Sequence, residues 1–331
     1  MIISRAPVRV SFLGGGTDYP EHFLRHGGAV LATAIDKFSY VTASPFLSEL
    51  FDYAIRISYR QNELVKRVDD IGHNVFRECL RLLGFERDIE LHTVADLPAF
   101  TGLGSSSAFT VSLLHALHSF KGEFVTPLQL AYEAIHVERN ILHDRVGCQD
   151  QAVAALGGFN LIEFRREDDL VVHRLPISPE RTREFQQHLF IVFSGITRKA
   201  ADVAGNQLTR LGDNRATLGR MRAMVDEGWD ILTAGRPLCE FGPLLHQGWL
   251  AKRSLDGGVS TPEIDEMYRT GLDHGALGGK LLGAGGGGFL LLFAPPEAHA
   301  GLREAFADRR RLHVNINAPG SQIIFASGAA R

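Results

Sequence analysis

Residues 102–107 read GLGSSS, a combination of residue types that favours the binding of an anion. Glycine lets the backbone approach a ligand closely, and the free amides at the start of a helix attract phosphate through the helix dipole. Serine hydroxyls add donors and are suited to ligate a hard cation. The simpler alternative is that Ser105 to Ser107 only cap the following helix. The segment lacks the lysine of a Walker loop, which excludes a P-loop.

Three carboxylates, Glu138, Asp150 and Asp18, are candidates for a functional role. Glu138 falls on the apolar face of a helix predicted from Pro127, and burying it without a partner would be costly. Either Mg²⁺ or an arginine such as Arg139 would satisfy it. Asp150 opens a short predicted helix, where it acts either as an N-cap or in catalysis. Asp18 follows three glycines and either bonds its own turn or contacts a ligand.

A third glycine-rich stretch, GAGGGG at residues 283–288, matches the GxGxxG pattern of dinucleotide-binding loops. That pattern requires a helix after the loop, but the apolar residues 289–293 predict a strand, which excludes a dinucleotide site. The chain also lacks the HRD and DFG motifs of protein kinases. Because a tight turn needs fewer glycines, we expect this loop to approach a ligand or the other glycine loops.

The elements that must position these residues alternate between strand-like and helix-like patterns, which predicts an α+β protein. Strands are predicted at residues 2–13, 29–45, 51–59, 88–98, 157–164, 170–177, 188–193 and 289–293. Helices are predicted at residues 74–83, 108–120, 127–143, 262–274 and 297–311. After Gly195 the chain becomes predominantly helical. We therefore expect two domains, at residues 1–195 and 196–331.

Composition limits the classes of partner. The 331 residues include 35 glycines and carry a formal net charge of −3, which provides no basic field for nucleic acid or an anionic membrane. No apolar run reaches the ~18 residues of a membrane-spanning helix, so we expect a cytoplasmic protein. The three cysteines, Cys79, Cys148 and Cys239, are widely spaced and odd in number, which predicts buried thiols rather than disulfides or a zinc site.

Three motifs in order resemble those of the GHMP kinases, a superfamily of small-molecule kinases that includes galactokinase, homoserine kinase and mevalonate kinase. The motifs are PVRVSFLGGGTDY at residues 7–19, LPAFTGLGSSSA at 97–108 and KLLGAGGGGF at 280–289. The resemblance covers nearly the whole chain. It implies an α+β GHMP kinase fold, in which an N-terminal domain similar to a ribosomal-protein domain joins a ferredoxin-like C-terminal domain. ATP and the acceptor would meet in the cleft between them.

The resemblance also implies roles for individual residues. Asp150 would act as catalytic base or orient the acceptor hydroxyl, and Arg9 would lie beside it and offset charge on the transferred group. Mg²⁺ would be held by Ser106 and Glu138. ATP would be bound by Gly102, Leu103, Gly104, Ser105, Ser106 and Ser107. The acceptor would lie against the two outer glycine loops, at Gly15, Gly16, Thr17, Asp18, Gly285 and Gly286.

Departures from the family pattern limit which sugars are expected as the acceptor. Galactokinases read GEHTDY where this chain reads GGGTDY, so Gly15 and Gly16 replace a Glu and a His that hold galactose. The chain most resembles the anomeric sugar kinases. This implies phosphoryl transfer from ATP to the anomeric hydroxyl of D-glycero-D-manno-heptose 7-phosphate, giving the 1,7-bisphosphate. L-Fucose or another reducing sugar is the alternative acceptor, and a non-catalytic sugar and ATP sensor is the alternative of another class.

A phosphorylated acceptor requires a cationic pocket. Each candidate basic residue is also consistent with an ordinary surface charge. The candidates are Arg25, His26, Arg198, Lys199, Lys252 and Arg253. The expected partner is a small-molecule sugar or sugar phosphate, with neither nucleic acid nor membrane. A homodimer is compatible with the sequence.

Overall fold

The computed structural model describes residues 1–99, 101–166, 168–197 and 214–327. The strands are β1 (Ile2–Leu13), β2 (Gly28–Pro45), β3 (Ile55–Ser58), β4 (Asn62–Val65), β5 (Ile89–Ala95), β6 (Phe159–Arg166), β7 (Asp169–Arg174), β8 (Leu189–Phe193), β9 (Gly278–Leu281), β10 (Phe289–Phe293), β11 (Arg311–Leu312) and β12 (Gln322–Ala326). The α-helices are α1 (Pro20–His26), α2 (Asn74–Leu82), α3 (Ser105–Phe120), α4 (Pro127–Ile135), α5 (Gln149–Leu156), α6 (Pro179–Gln187), α7 (Arg215–Thr233), α8 (Phe241–Arg253), α9 (Pro262–Asp273) and α10 (His299–Ala305).

The first sheet has eight strands in the described residues. Its main path is β12-β1-β2-β5-β3-β4, and β6 pairs with β2 and β7 with β6. The 18-residue β2 makes this branching possible, because residues 28–33 pair with β6 and residues 39–45 pair with β5. All of these pairs are antiparallel except β3 with β5. Helices α3 and α5 pack on β1 and β2, so the strand that carries Arg9 is buried from Ala6 onward.

The second sheet is antiparallel, in the order β11-β8-β10-β9. An aromatic cluster joins it to the first sheet, since Phe12 of β1 packs edge-on against Phe185 and Phe241, with ring centroids 5.2 and 5.8 Å apart. Phe293 of β10 completes the cluster at 5.4 Å from both of those rings. Edge-to-face packing of buried rings is favourable beyond area burial. These ring contacts connect the two sheets through one aromatic cluster.

The predicted division at residue 195 does not follow the sheets. β8 precedes that position but pairs with β10 and β11 in the second sheet. β12 lies after it but pairs with β1 in the first sheet, so that Ile2 is opposite Ala326. Buried residues of both sheets belong to one continuous apolar core. The domain limits themselves stay a prediction.

Local differences from the predicted elements have physical reasons. The helix signal at Thr126 and Pro127 is confirmed, because the Thr126 hydroxyl accepts from the Gln129 amide at 3.2 Å. That helix does not run on to His143 as predicted: α4 ends at Ile135, and residues 136–141 form a π-helix. The strand predicted at 51–59 shortens to β3, which turns into the unpredicted β4.

Two further predictions need correction. The helix predicted at 297–311 is limited to a 3₁₀ turn at Pro296–Ala298 followed by α10. Cys239 is exposed rather than buried, whereas Cys79 and Cys148 are buried as predicted. Among the helices of the described residues, none has the length and apolar character to cross a bilayer.

Candidate active site

The three glycine loops converge on one cleft at the junction of the two sheets. Including the space open to solvent, it measures about 1110 Å³. Its wall takes residues from the end of β1, the start of α3, the segment before α5 and the β9–β10 connection. Chain segments distant in sequence thus contribute to a single site. This matches the arrangement that the motifs predict.

The loop before α3 is built to present backbone amides. Gly102 and Gly104 adopt φ of 81° and 76°, a left-handed conformation that favours glycine. Gly104 is the N-cap of α3 and makes no side-chain cap hydrogen bond. The serines therefore do not cap the helix in the way the simpler alternative assumed. The first-turn amides of the 16-residue α3 remain available to an anion, as in phosphate-binding helix N-termini.

The third glycine loop packs directly on this phosphate loop. A Cβ at Gly283 would lie 2.5 Å from the Gly102 Cα, and a Cβ at Gly288 would clash with the Thr101 carbonyl. The Phe289 amide donates to that same carbonyl at 3.3 Å. The expected close approach to another loop is therefore confirmed. Glycine at these positions lets two backbone segments touch at the edge of the cleft.

Asp150 and Arg9 form a bidentate ion pair beside the phosphate loop. Arg9 Nε and Nη2 each donate to one Asp150 carboxylate oxygen at 2.8 Å. Arg9 Nη1 donates to the Gly102 carbonyl at 2.6 Å, and the Arg9 amide donates to Leu103 O at 2.9 Å. Arg9 is only 5% exposed. Two parallel bonds fix the orientation of the carboxylate, which lies 3.2 Å from where a Cβ at Gly104 would stand.

Asp150 is not the N-cap of its helix. The N-cap of α5 is Cys148, and it makes no side-chain cap hydrogen bond. Asp150 instead falls in the first turn of α5, with its side chain in the cleft. Of the two roles left open by the sequence, the structure thus removes the capping role.

Glu138 is buried at 2% exposure on the π-helix, with its carboxylate on the cleft. Its Oε2 accepts from Ser107 Oγ at 2.9 Å and from Gln151 Nε2 at 2.6 Å. Arg139, the predicted structural partner, bonds Glu21 at 2.7 Å instead. Burial raises the pKa of Glu138 to about 7, against hydrogen bonds that lower it.

One oxygen of Glu138 is left over. Its Oε1 is buried with no hydrogen-bond partner. Within the described ranges no three His, Cys, Asp or Glu side chains come together to hold an ion by themselves. In proteins Mg²⁺ is typically held by one or two carboxylates together with the phosphates of a nucleotide. A carboxylate oxygen without a partner, beside a phosphate loop, is suited to such a site. The residues present therefore fit Mg²⁺ that arrives with a nucleotide.

The first glycine loop places Asp18 in the cleft. Asp18 is 1% exposed, and its carboxylate accepts from the Gly16 amide at 2.9 Å and the Gln149 amide at 3.3 Å. Burial raises the pKa of Asp18, while these amide donors lower it. The local turn bond that the sequence allowed is thus present, and Asp18 still faces the cleft together with Gly15 and Gly16.

Two buried lysines line the cleft. Lys252 at the end of α8 donates to the Gly283 carbonyl. Burial lowers the pKa of Lys252 to about 8, and the positive charge of Arg9 contributes to this lowering. Lys280 of β9 donates to the Phe12 carbonyl at 2.9 Å. Lys252 was a candidate from sequence, whereas Lys280 was missed. Its signal was a single charge at the start of an apolar run, KLL.

Several predicted site residues fall elsewhere. Thr17 is fully buried, and its hydroxyl bonds Gly14 O and Ala29 O, so it shapes the turn rather than the cleft wall. Leu103 is buried in the apolar core, and Gly286 turns its amide to Val259 O. Ser106 is exposed in the cleft. The hydroxyl that contacts Glu138 belongs to Ser107.

The candidate basic residues are dispersed. Arg253 is not part of the cleft wall and pairs with Asp265 at 2.7 Å. Arg25 and His26 end α1 and do not belong to the cleft wall. Arg198 and Lys199 lie outside the described residues. Only Lys252 of this set lines the cleft as the structure describes it.

Comparison with known proteins supplies the family. Residues 63–158 match the GHMP kinases N terminal domain, and residues 232–309 match the GHMP kinases C terminal domain. These two matches cover more than half of the chain and lie in the expected order. The chain belongs to the GHMP kinases. As a GHMP kinase it transfers a phosphoryl group from ATP to a small molecule.

Individual relatives extend this likeness over nearly the full length of the GHMP kinase chain. It is 29% identical over 92% of both chains to a D-glycero-alpha-D-manno-heptose 7-phosphate kinase of Campylobacter jejuni. It is 25% identical over 93% of its own length, but 36% of the relative's, to an L-fucokinase/L-fucose-1-P guanylyltransferase of Bacteroides fragilis. A D-glycero-D-manno-heptose 1-phosphate kinase structure from Bacteroides thetaiotaomicron superposes with a TM-score of 0.80 at 21% identity, covering 99% of this chain and 100% of that one, which establishes the shared fold.

Proposed function

We propose that this GHMP kinase is a carbohydrate kinase that phosphorylates the anomeric hydroxyl of D-glycero-D-manno-heptose 7-phosphate, with ATP as donor, to give the 1,7-bisphosphate. The observation that carries the proposal is the bidentate pair of Arg9 and Asp150, which holds a carboxylate beside the phosphate loop. The likeness to the Campylobacter kinase over 92% of both chains supports a heptose 7-phosphate as acceptor. The glycines at positions 15 and 16 argue against galactose.

Phosphoryl transfer depends mainly on positioning and charge neutralisation. The amides at the start of α3 hold the triphosphate, and the packed third glycine loop limits the freedom of the phosphate loop. Glu138 with a neighbouring serine would hold Mg²⁺, which when bound supplies positive charge to the phosphate oxygens. Asp150 lines the same cleft as these residues, which supports a position beside the terminal phosphate.

Asp150 accepts or orients the proton of the acceptor hydroxyl. Its two bonds to Arg9 hold the carboxylate in one orientation, so little reorganisation is needed during the reaction. Arg9 in turn remains close to the charge that develops on the transferred group. Lys252, in the same wall, adds a second cation near that charge.

The catalytic role of Asp150 is tested by Asp150→Asn. The amide oxygen can still accept from Arg9, but it cannot take a proton, so we expect kcat to fall by roughly 100-fold or more. Nucleotide affinity, measured by titration with MgADP, should stay within about twofold, because the phosphate loop is unchanged. The exposed Asp273→Asn is the matched control. Near-normal turnover of Asp150→Asn would exclude Asp150 as base.

The acceptor is identified by ADP release from MgATP with a panel of sugars. The panel contains D-glycero-D-manno-heptose 7-phosphate, L-fucose, D-mannose and D-galactose. We expect the heptose 7-phosphate to give the highest kcat/KM. L-Fucose is the second candidate, because of the 25% identity to the Bacteroides fucokinase over 93% of this chain. A response to L-fucose alone would overturn the heptose assignment and leave the kinase assignment standing.

A further inference from the structure

Four basic side chains line the cleft, and three of them are already engaged. Arg9 is bonded to Asp150, Lys252 donates to Gly283 O, and Lys280 donates to Phe12 O. The fourth is Arg145, which has neither a hydrogen bond nor an ion pair with any residue in the described ranges. Its side chain is exposed, and it lines the cleft. Arg145 therefore presents a whole guanidinium to a ligand.

Arg145 stands on a short loop that is fixed against Asp18. A Cβ at Gly147 would clash with Asp18 Oδ2, and the Cys148 amide donates to Asp18 O at 2.9 Å. Arg139 also holds this C-terminal part of the loop, because its guanidinium donates to Val146 O. On the N-terminal side the Asp144 amide donates to Glu138 O at 2.8 Å. The loop thus belongs to the part of the cleft around Asp18, and its backbone is held on both sides of Arg145.

The neighbouring wall offers neutral polar groups without partners. Ser11 Oγ and Gln149 Oε1 are both buried and unbonded. Both side chains border Gly15, where a Cβ would stand 3.6 Å from Ser11 Oγ and from Gln149 Nε2. Buried hydroxyl and amide groups of this kind suit sugar hydroxyls, which both donate and accept. Ser11 and Gln149 therefore supply neutral polar groups for a polyol in the wall that also carries Arg145 and Asp18.

A free arginine beside a polyol surface matches a sugar phosphate. The planar guanidinium binds phosphate through two parallel hydrogen bonds, a geometry that lysine lacks. Arg145 and Asp150 are five residues apart, so their Cα atoms lie within about 17 Å of each other. In a heptose 7-phosphate the anomeric hydroxyl and the phosphate are at opposite ends of the molecule, so one substrate can reach both side chains.

We infer that Arg145 binds the phosphate of the acceptor and so makes the enzyme select a phosphorylated sugar. The inference rests on the proposed function, since it assigns the part of the site that recognises C7. It names the ligand chemistry as a phosphate monoester on a primary alcohol of a sugar. Arg145 is thus a specificity residue and takes no part in transferring the γ-phosphoryl group.

The test is steady-state kinetics of Arg145→Ala and Arg145→Lys. For heptose 7-phosphate, Arg145→Ala should raise KM by about 10- to 100-fold, the range expected for a charge-assisted hydrogen-bond pair. KM for ATP and kcat/KM for the unphosphorylated heptose should change less than about twofold. Arg145→Lys keeps the charge without the fork and should give an intermediate KM. Arg25→Ala, an exposed arginine outside the cleft wall, should match wild type.

The outcomes distinguish failure of the inference alone from failure of the proposed function. If wild type phosphorylates heptose 7-phosphate and Arg145→Ala keeps the wild-type KM, the inference fails and the proposed function stands. A rise in KM for ATP instead would place Arg145 at the nucleotide and also overturn the inference. If wild type accepts only unphosphorylated sugars, both fail. Should the alanine variant not fold, as shown by its melting curve, Arg145→Gln replaces it with the same expected KM.

Discussion

Replacing Glu138 by glutamine should remove one pH-dependent contribution to the stability of the protein. In the metal-free protein the Glu138 carboxylate has a raised pKa of about 7, because burial disfavours its charge. A raised pKa of an acid means that the folded state holds the proton more tightly than the unfolded state. The resulting stability is fully present below about pH 4.5 and is lost as the pH rises through 7.

The size follows from the same pKa. The free energy of unfolding of wild type should be about 2 kcal/mol higher at pH 5.5 than at pH 8. This is because pH 5.5 lies about 1.5 units below the pKa of about 7, and each unit corresponds to ~1.36 kcal/mol. At about 2.1 cal/mol/K per residue, the unfolding entropy of 331 residues is about 0.7 kcal/mol/K, which converts this to about 3 °C. Glu138→Gln has no such titration. Its Tm relative to wild type should therefore be about 3 °C higher at pH 8 than at pH 5.5.

The assay is calorimetry or thermal-shift measurement in buffer with a chelator. Comparing two pH values cancels any packing difference between Glu and Gln, which is the same at both. Glu78→Gln is the matched control, because ion pairs with Arg77 and Arg81 lower the pKa of that carboxylate. Its Tm offset from wild type should be the same at both pH values. A Glu138→Gln offset that is independent of pH, or larger at pH 5.5, would refute the reasoning.

Two further variants probe the cleft wall. Gly147→Ala places a Cβ against the Asp18 carboxylate, so KM for the sugar should rise several-fold while KM for ATP is unchanged. Gly219→Ala is the control, because nothing lies within 4 Å of a Cβ there, and it should leave both constants unaltered. Equal effects of the two variants would contradict the role of Asp18. Lys252 has a pKa of about 8 and is cationic below it, so kcat/KM of wild type should decline above pH 8. Lys252→Gln should not show this decline. A decline that persists in Lys252→Gln would assign the titration to another group.

The glycine pattern made the convergence of the three loops predictable. Each loop combined glycines with a change of element type, and the structure shows backbone contacts between Gly102 and Gly283 that only glycine permits. The helices predicted from Pro127 and from residue 262 likewise begin at those positions, each with a threonine N-cap. Strand pairing could not be predicted from the sequence, because no local feature indicates that β12 pairs with β1. Such long-range pairing depends on the completed core rather than on local propensity.

The site was predictable in its residue types more than in its contacts. Periodicity of 3.6 placed Glu138 on an apolar face, but the π-helix after Ile135 alters the phase of the residues that follow. For the same reason no count along GLGSSS could decide that Ser107, and not Ser106, faces Glu138. Arg145 carried no signal at all, because one arginine in a polar loop is ordinary.

The pairing of β1 with β12 affects the order in which the kinase folds. Ile2 lies opposite Ala326, and Arg5 opposite Gln322, so this pair joins segments made at opposite times during synthesis. Until β12 leaves the ribosome, one edge of β1 exposes unpaired backbone groups, a condition that invites wrong strand pairing. The strand bearing Arg9 thus precedes the other described strands in the chain, yet its sheet edge is completed by the last of them.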